Sequence, residues 1–138
     1  MLRNILFLLL VLSPFLGLGT KPYKQLGKAT YYASKYEGRK TSSGEKYDPS
    51  LPTAAHAYLP LNTYVKVENL STGHVVVVKI NDRMSKKSPF VIDLSKSAAQ
   101  ELNILGPGSK QVRITGITKE AALAYWQEEQ DKHEQNRS

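Results

Sequence analysis

Two neighbouring segments do most to limit what this chain can fold into. Tyr64 to Asn69 reads Tyr-Val-Lys-Val-Glu-Asn, apolar and polar in turn, the pattern of a strand with one buried face. Val75 to Ile80 is a nearly continuous β-branched run, and Ser71-Thr72-Gly73 between them supplies turn chemistry. Together they predict a β-hairpin. Ala29 to Ala33, Phe90 to Leu94 and Gln111 to Ile117 add further strand segments. One short helix interrupts them: Ser95 is a good N-cap, Ala98, Ala99 and Leu102 follow at helical spacing, and Gly106-Pro107-Gly108 ends it. Many short strands with one small helix favour a closed barrel over a sandwich. Beyond the last strand, Lys119 to His133 places Ala122, Tyr125 and Trp126 on one side and Glu128 and Lys132 at i, i+4. This predicts a C-terminal amphipathic helix whose aromatic side docks on the barrel. Trp126 reads as its anchor, with contact to a sugar as the alternative.

The N-terminus reads as an address. Arg3 supplies a positive charge, Ile5 to Leu18 is mostly apolar, and Gly17 and Gly19 precede a cleavage point before Thr20. The apolar stretch falls short of the ~20 residues a membrane-spanning helix needs, which argues for a cleaved signal over an uncleaved anchor. The protein is therefore expected to be exported, periplasmic or secreted, with no stable membrane anchor after cleavage. The sequence contains no cysteine. A lipid-bearing N-terminus is thus not expected, and a small exported domain without disulfides must be held by its core alone.

Charge is unevenly distributed. Residues 20–118 hold fifteen Lys or Arg against seven Asp or Glu, whereas residues 119–138 hold three against five. A basic exported domain is attracted to polyanions, here wall polymers. No recognition-helix pattern or RNP-like aromatic motif supports nucleic acid as the partner.

Chemistry has few carriers. No histidine pair has metal-ligand spacing, no HExxH or Gly-x-Ser-x-Gly occurs, and there is no thiol nucleophile. Neither metal nor other cofactor is expected, and carboxylates remain. Glu37, Glu68 and Glu101 read as solvated charges. Asp82 ends the buried run and precedes Arg83, so apolar walls would favour its neutral form while Arg83 would oppose that. The alternative is an aspartate that caps the following loop. Asp93, just ahead of the short helix, reads as a charge at that helix's N-terminus. Glu45 and Asp48 lie in a loop that Gly44 lets turn sharply. His56, closing Thr53-Ala54-Ala55-His56, is the histidine in the most ordered setting.

The strings GKATYYA, GRKTSSGEKYD, TAAH, LPLNTYVKVENLSTG, KINDR and VIDLSKSAAQEL together resemble the RlpA-like double-psi β-barrel proteins, over Gly27 to Ile117. The resemblance implies a six-stranded double-psi β-barrel with one short helix and a C-terminal amphipathic helix. The implied division is a signal peptide at 1–19, a linker at 20–26, the barrel at 27–117 and a helical tail at 118–138. Two departures stand out. Asn62 replaces the family's usual glycine, and asparagine tolerates the same left-handed backbone. Met84 to Phe90 carries neither the usual Gly-Pro nor the usual Gly-Arg pair.

The resemblance further implies an endolytic peptidoglycan lytic transglycosylase acting on peptide-stripped glycan strands and leaving 1,6-anhydro-muramyl ends. Positions tied to that activity fall on Glu45, Asp48, His56 and Asp82. Asp82 would act as acid and then base, Glu45 would stabilise oxocarbenium charge, and His56 would bond a carboxylate or the sugar. Tyr31, Tyr32, Tyr58 and Arg83 are the substrate-binding candidates. The rival reading is a non-catalytic, expansin-like barrel that binds glycan.

Overall fold

In the computed structural model, residues 21–138 are described, so the signal segment at 1–19 lies outside them. Six strands form a closed barrel: β1 (Lys24–Tyr31), β2 (Thr53–His56), β3 (Tyr64–Asn69), β4 (Val75–Arg83), β5 (Ile92–Leu94) and β6 (Gln111–Ile117). Around the barrel the order is β1, β5, β2, β4, β3, β6. Helix α1 (Lys96–Glu101) follows β5, and α2 (Lys119–Gln135) follows β6. The β3–β4 hairpin is as expected, with Tyr64 opposite Lys79 and Glu68 opposite Val75. Less local are two parallel pairings, β1 with β5 and β2 with β4. Closing a barrel removes the unpaired strand edges that an open sheet would present.

The continuous apolar run of β4 has a physical explanation in two buried faces. Val76, Val78 and Ile80 point into the barrel interior with Val65, Val67, Ile92, Leu94, Val112 and Ile114. Val77, on the other face, is also buried. Over it lies α2, whose Trp126 Nε1 donates to Val77 O at 3.0 Å and whose Tyr125 hydroxyl donates to Val75 O at 3.2 Å. Burying one Val, Leu or Ile side chain contributes about 1.5–3 kcal/mol, so this core supplies the main favourable term in a domain that has no disulfides.

The expected Ser95 cap is present, and Thr118 caps the second helix in the same way. Ser95 Oγ accepts from Ala98 N, and Thr118 Oγ1 does the same for Ala121 N. Lys132 pairs with Glu128 at 3.1 Å. Asn62 has φ 68° and Gly44 has φ 90°, so both turns use the left-handed region. Several element bounds differ from the sequence reading, and one strand is added to it. β1 starts at Lys24, inside the stretch read as linker, because Lys24 to Lys28 pair antiparallel with β6. β2 is buried along its whole length, and its small residues gave no alternating signal.

Candidate active site

The site grows from the far end of β4. A β-bulge falls there: Ala54 of β2 pairs with Ile80, but Ala55 pairs with Asp82, leaving Asn81 as the extra residue. On the other edge of β2, Ala55 also pairs with Asp93 of β5. Asp82 and Asp93 thus flank the same small residue and line one cleft of about 220 Å³ with Tyr32, Tyr36, Arg83 and Met84.

The two carboxyls have opposite environments. Tyr32 donates its hydroxyl to Asp82 Oδ2 at 2.5 Å. Ser42 donates both its N–H, at 2.9 Å, and its hydroxyl, at 2.8 Å, to Asp82 Oδ1. The Arg83 N–H adds a third donor to that oxygen at 2.9 Å. Burial alone would raise the Asp82 pKa, but these four donors outweigh it and hold the carboxyl below its usual range. Asp93 has no such support: its Oδ1 is buried without a hydrogen-bond partner among the described residues. Burial first, and the Asp82 charge second, raise its pKa to about 6. One carboxyl is held ionised well into the acid range, while its neighbour keeps its proton up to about pH 6, an arrangement that separates an acid from an anion in one cleft.

Residues 24–114 match the family described as Lytic transglycolase. The chain belongs to this RlpA-like double-psi β-barrel family. It is 43% identical over 95 residues to the endolytic peptidoglycan transglycosylase RlpA of Neisseria meningitidis, covering 69% of this chain and 40% of the relative. The same-named protein of Pasteurella multocida is 47% identical over 92 residues, covering 67% of this chain and 31% of the relative. That of Haemophilus influenzae is 44% identical over 101 residues, covering 73% and 35%. The matched part therefore spans less than half the length of these curated relatives. In fold, the chain is similar to the Streptomyces papain inhibitor, with a TM-score of 0.56, 23% identity, and coverage of 70% of this chain and 96% of that one.

The other site positions of this RlpA-like barrel scatter around the cleft. Glu45 lies in a neighbouring depression, paired with Lys79 at 2.9 Å. The Lys79 hydrogen bond holds Glu45 below its usual pKa. Asp48 accepts from Ser50 N and Oγ at 2.9 and 2.7 Å, an Asx-type turn that shapes its own loop. His56 is buried, and both of its ring nitrogens are engaged. Nδ1 accepts from the N–H groups of Tyr58 and Leu59 at 3.0 Å each, and Nε2 therefore carries the proton donated to Gln25 Oε1 at 2.8 Å. Burial, then the Arg83 charge, lower its pKa and keep the ring neutral. It bonds no carboxylate and serves instead to order residues 56–59. Arg83 Nη1 anchors on that ordered loop through His56 O at 3.0 Å and Leu59 O at 2.6 Å.

The aromatic candidates also separate. Tyr32 is stacked on Tyr47, with centroids 4.3 Å apart, and its hydroxyl belongs to Asp82. Tyr31 packs against the barrel core. Tyr58 is exposed, lines a third depression with His56, and carries Lys86 over its ring at 5.2 Å. Asp93, Ser42 and Tyr36 are site residues that sequence reasoning did not select. Asp93 had been read as serving α1, but Ser95 makes that cap and Asp93 faces the cleft. Its one local signal was a lone acid between two core residues, Ile92 and Leu94.

Proposed function

We propose that this barrel is an endolytic lytic transglycosylase of peptidoglycan. The observation that carries the reading is the pair of carboxyls on one cleft with opposite protonation preference. The relatives' names supply the substrate class. Asp93 gives its proton to the glycosidic oxygen as the C1–O bond breaks, and the Asp82 carboxylate faces the positive charge that develops at C1 and the ring oxygen. The Asp93 carboxylate then takes the proton of the sugar's own C6 hydroxyl, whose oxygen bonds to C1 and closes a 1,6-anhydro ring. The attacking hydroxyl is tethered to its target, so no enzyme nucleophile is required.

This assigns acid and base work to Asp93 and charge stabilisation to Asp82, where the resemblance placed them on Asp82 and Glu45. The finer part of the proposal is that the preferred strands are stripped of stem peptides. The basic surface of residues 20–118 supports attraction to a polyanionic wall. Export by residues 1–19 to the periplasm or beyond belongs to the same proposal.

The test is product analysis by mass spectrometry after incubating the protein with intact and with peptide-stripped peptidoglycan, beside Asp93→Asn and Asp82→Asn. Anhydro-muramyl ends from the wild type, lost in both variants, are expected. Reducing ends would make the protein a hydrolase. No products with glycan binding retained in all three would leave a non-catalytic binding barrel.

A further inference from the structure

Asn81 and Asp82 are consecutive on β4 yet line different depressions. Asp82 belongs to the cleft already described, and Asn81 to a larger one of about 350 Å³ between the barrel and α2. Nothing in the proposed reaction uses this second cleft. Two aromatic rings help to line it, Tyr64 of β3 and Trp126 of α2, packed edge to face with centroids 5.8 Å apart. The Trp126 Nε1 bond to Val77 O fixes that ring, and both rings remain partly open to solvent. Beside them stand the Lys79–Glu45 pair and the exposed Gln130 amide.

The chemistry of this lining selects a class of ligand. Rings held in place offer flat apolar surface to the C–H face of a pyranose, and the polar groups around them offer donors and acceptors to hydroxyls and an acetamido group. Charge in the cleft is balanced: Lys79 is paired with Glu45, and Lys46 offsets Asp48. A phosphate or a polyacid would find no net positive charge there, whereas a neutral sugar needs none.

The two clefts also share a wall. In the hairpin from Thr41 to Glu45, Ser42 bonds Asp82, Ser43 N–H donates to Asn81 O at 3.1 Å, and Glu45 pairs with Lys79. A strand lying across this hairpin engages both sides of it. We infer that the second cleft is a glycan subsite, which takes a neutral N-acetylhexosamine unit of the same strand that is cut at Asp82 and Asp93. The inference rests on the glycan-cleaving reading and adds to it a site remote from the bond broken. Long strands gain affinity from it, and strands too short to cross the hairpin do not.

Trp126 is the one tryptophan of the chain, so emission excited selectively in tryptophan reports on this cleft. The probe is the tetramer of N-acetylglucosamine, titrated into the wild-type protein, Asp82→Asn, Gln130→Ala and Lys79→Met. A saturable change in emission is expected in the wild type and in Asp82→Asn. Gln130→Ala, at an exposed position one turn on from Trp126 along the same face of α2, is expected to weaken it about tenfold, the loss of one good hydrogen bond. Lys79→Met is expected to do the same. Amide NMR shifts are followed in parallel. Shifts confined to Tyr32, Tyr36 and Asp82, with Trp126 emission unchanged, would overturn the subsite and leave the catalytic reading standing. No response at either cleft would overturn both.

Discussion

Asp82 and Asp93 stand level with each other in the barrel wall, each registered against Ala55 of the strand between them. Two strand spacings separate their backbones, roughly 10 Å. Between them Ala55 contributes only a methyl group, so both side chains reach the same cleft. The four donors that stabilise the Asp82 charge therefore add, after burial, to what raises the Asp93 pKa.

Asp93→Asn is expected to lose activity by about 10²–10⁴-fold, the usual contribution of a general acid or base. The same change is expected to stabilise the fold at neutral pH. A carboxyl with a raised folded-state pKa contributes fully below its unfolded value and loses that contribution as pH rises through about 6. Asparagine removes that penalty. Discounted for the solvent contact Asp93 keeps, the gain is about 1 kcal/mol, or about 3 °C in melting temperature. Calorimetry at pH 7.5 and at pH 4.5 follows this dependence, since the gain shrinks as pH falls from above 6 toward the ordinary value of 3.8.

The pH dependence of cleavage follows from the same pair. Activity requires Asp93 protonated and Asp82 ionised, so it falls as pH rises through about 6. It falls again only below 3.8, since Asp82 is held lower than that ordinary value. Removing the Asp82 charge removes one cause of the Asp93 shift. Carboxyl-carbon NMR is expected to give a lower Asp93 midpoint in Asp82→Asn than in the wild type. An unmoved midpoint would refute electrostatic contact between the two.

His56→Ala is expected to act on stability and on Arg83 rather than on proton transfer. The ring satisfies the buried N–H of Leu59 and the part-buried N–H of Tyr58, and leaving a buried donor unpaired costs about 1–3 kcal/mol. Urea denaturation measures that loss. Cleavage falls because the Arg83 anchor loosens, but the pH–rate profile keeps its two limbs. A missing limb in the variant would assign His56 a titrating role.

Asn62 offers a backbone test. At φ 68°, Asn62→Ala is expected to cost about 1 kcal/mol, whereas Asn62→Gly stays near neutral. Thermal melts of the two variants decide it.

What was legible in the sequence was local. The hairpin at β3 and β4, the Ser95 cap and the docking face of α2 all follow from residues a few positions apart, while the left-handed Asn62 turn came from the resemblance. β2 was hidden because Thr-Ala-Ala-His, buried on both faces, carries neither alternation nor a β-branched run. Asp93 was misread for a related reason: its sequence neighbours point to α1, while its function depends on a register with Ala55, thirty-eight positions earlier. Tyr31 and Tyr32 alternate between core and cleft, and only the pairing of β1 with β5 decides which goes where. The engagement of both His56 nitrogens by nearby groups is likewise a matter of geometry that no motif encodes.

The seam between β1 and β6 sets the order in which this molecule can come into being. Lys24 pairs with Thr115 and Lys28 with Gln111, so the barrel closes only when both ends of the domain are present together. A chain emerging N-terminus first holds β1 without its antiparallel partner until almost the whole length has been delivered. Contacts this distant in sequence make folding slow and leave strand edges open in the meantime. Closure is therefore a post-delivery event, and the paired carboxyls do not meet until β5 has been laid between strands made long before it.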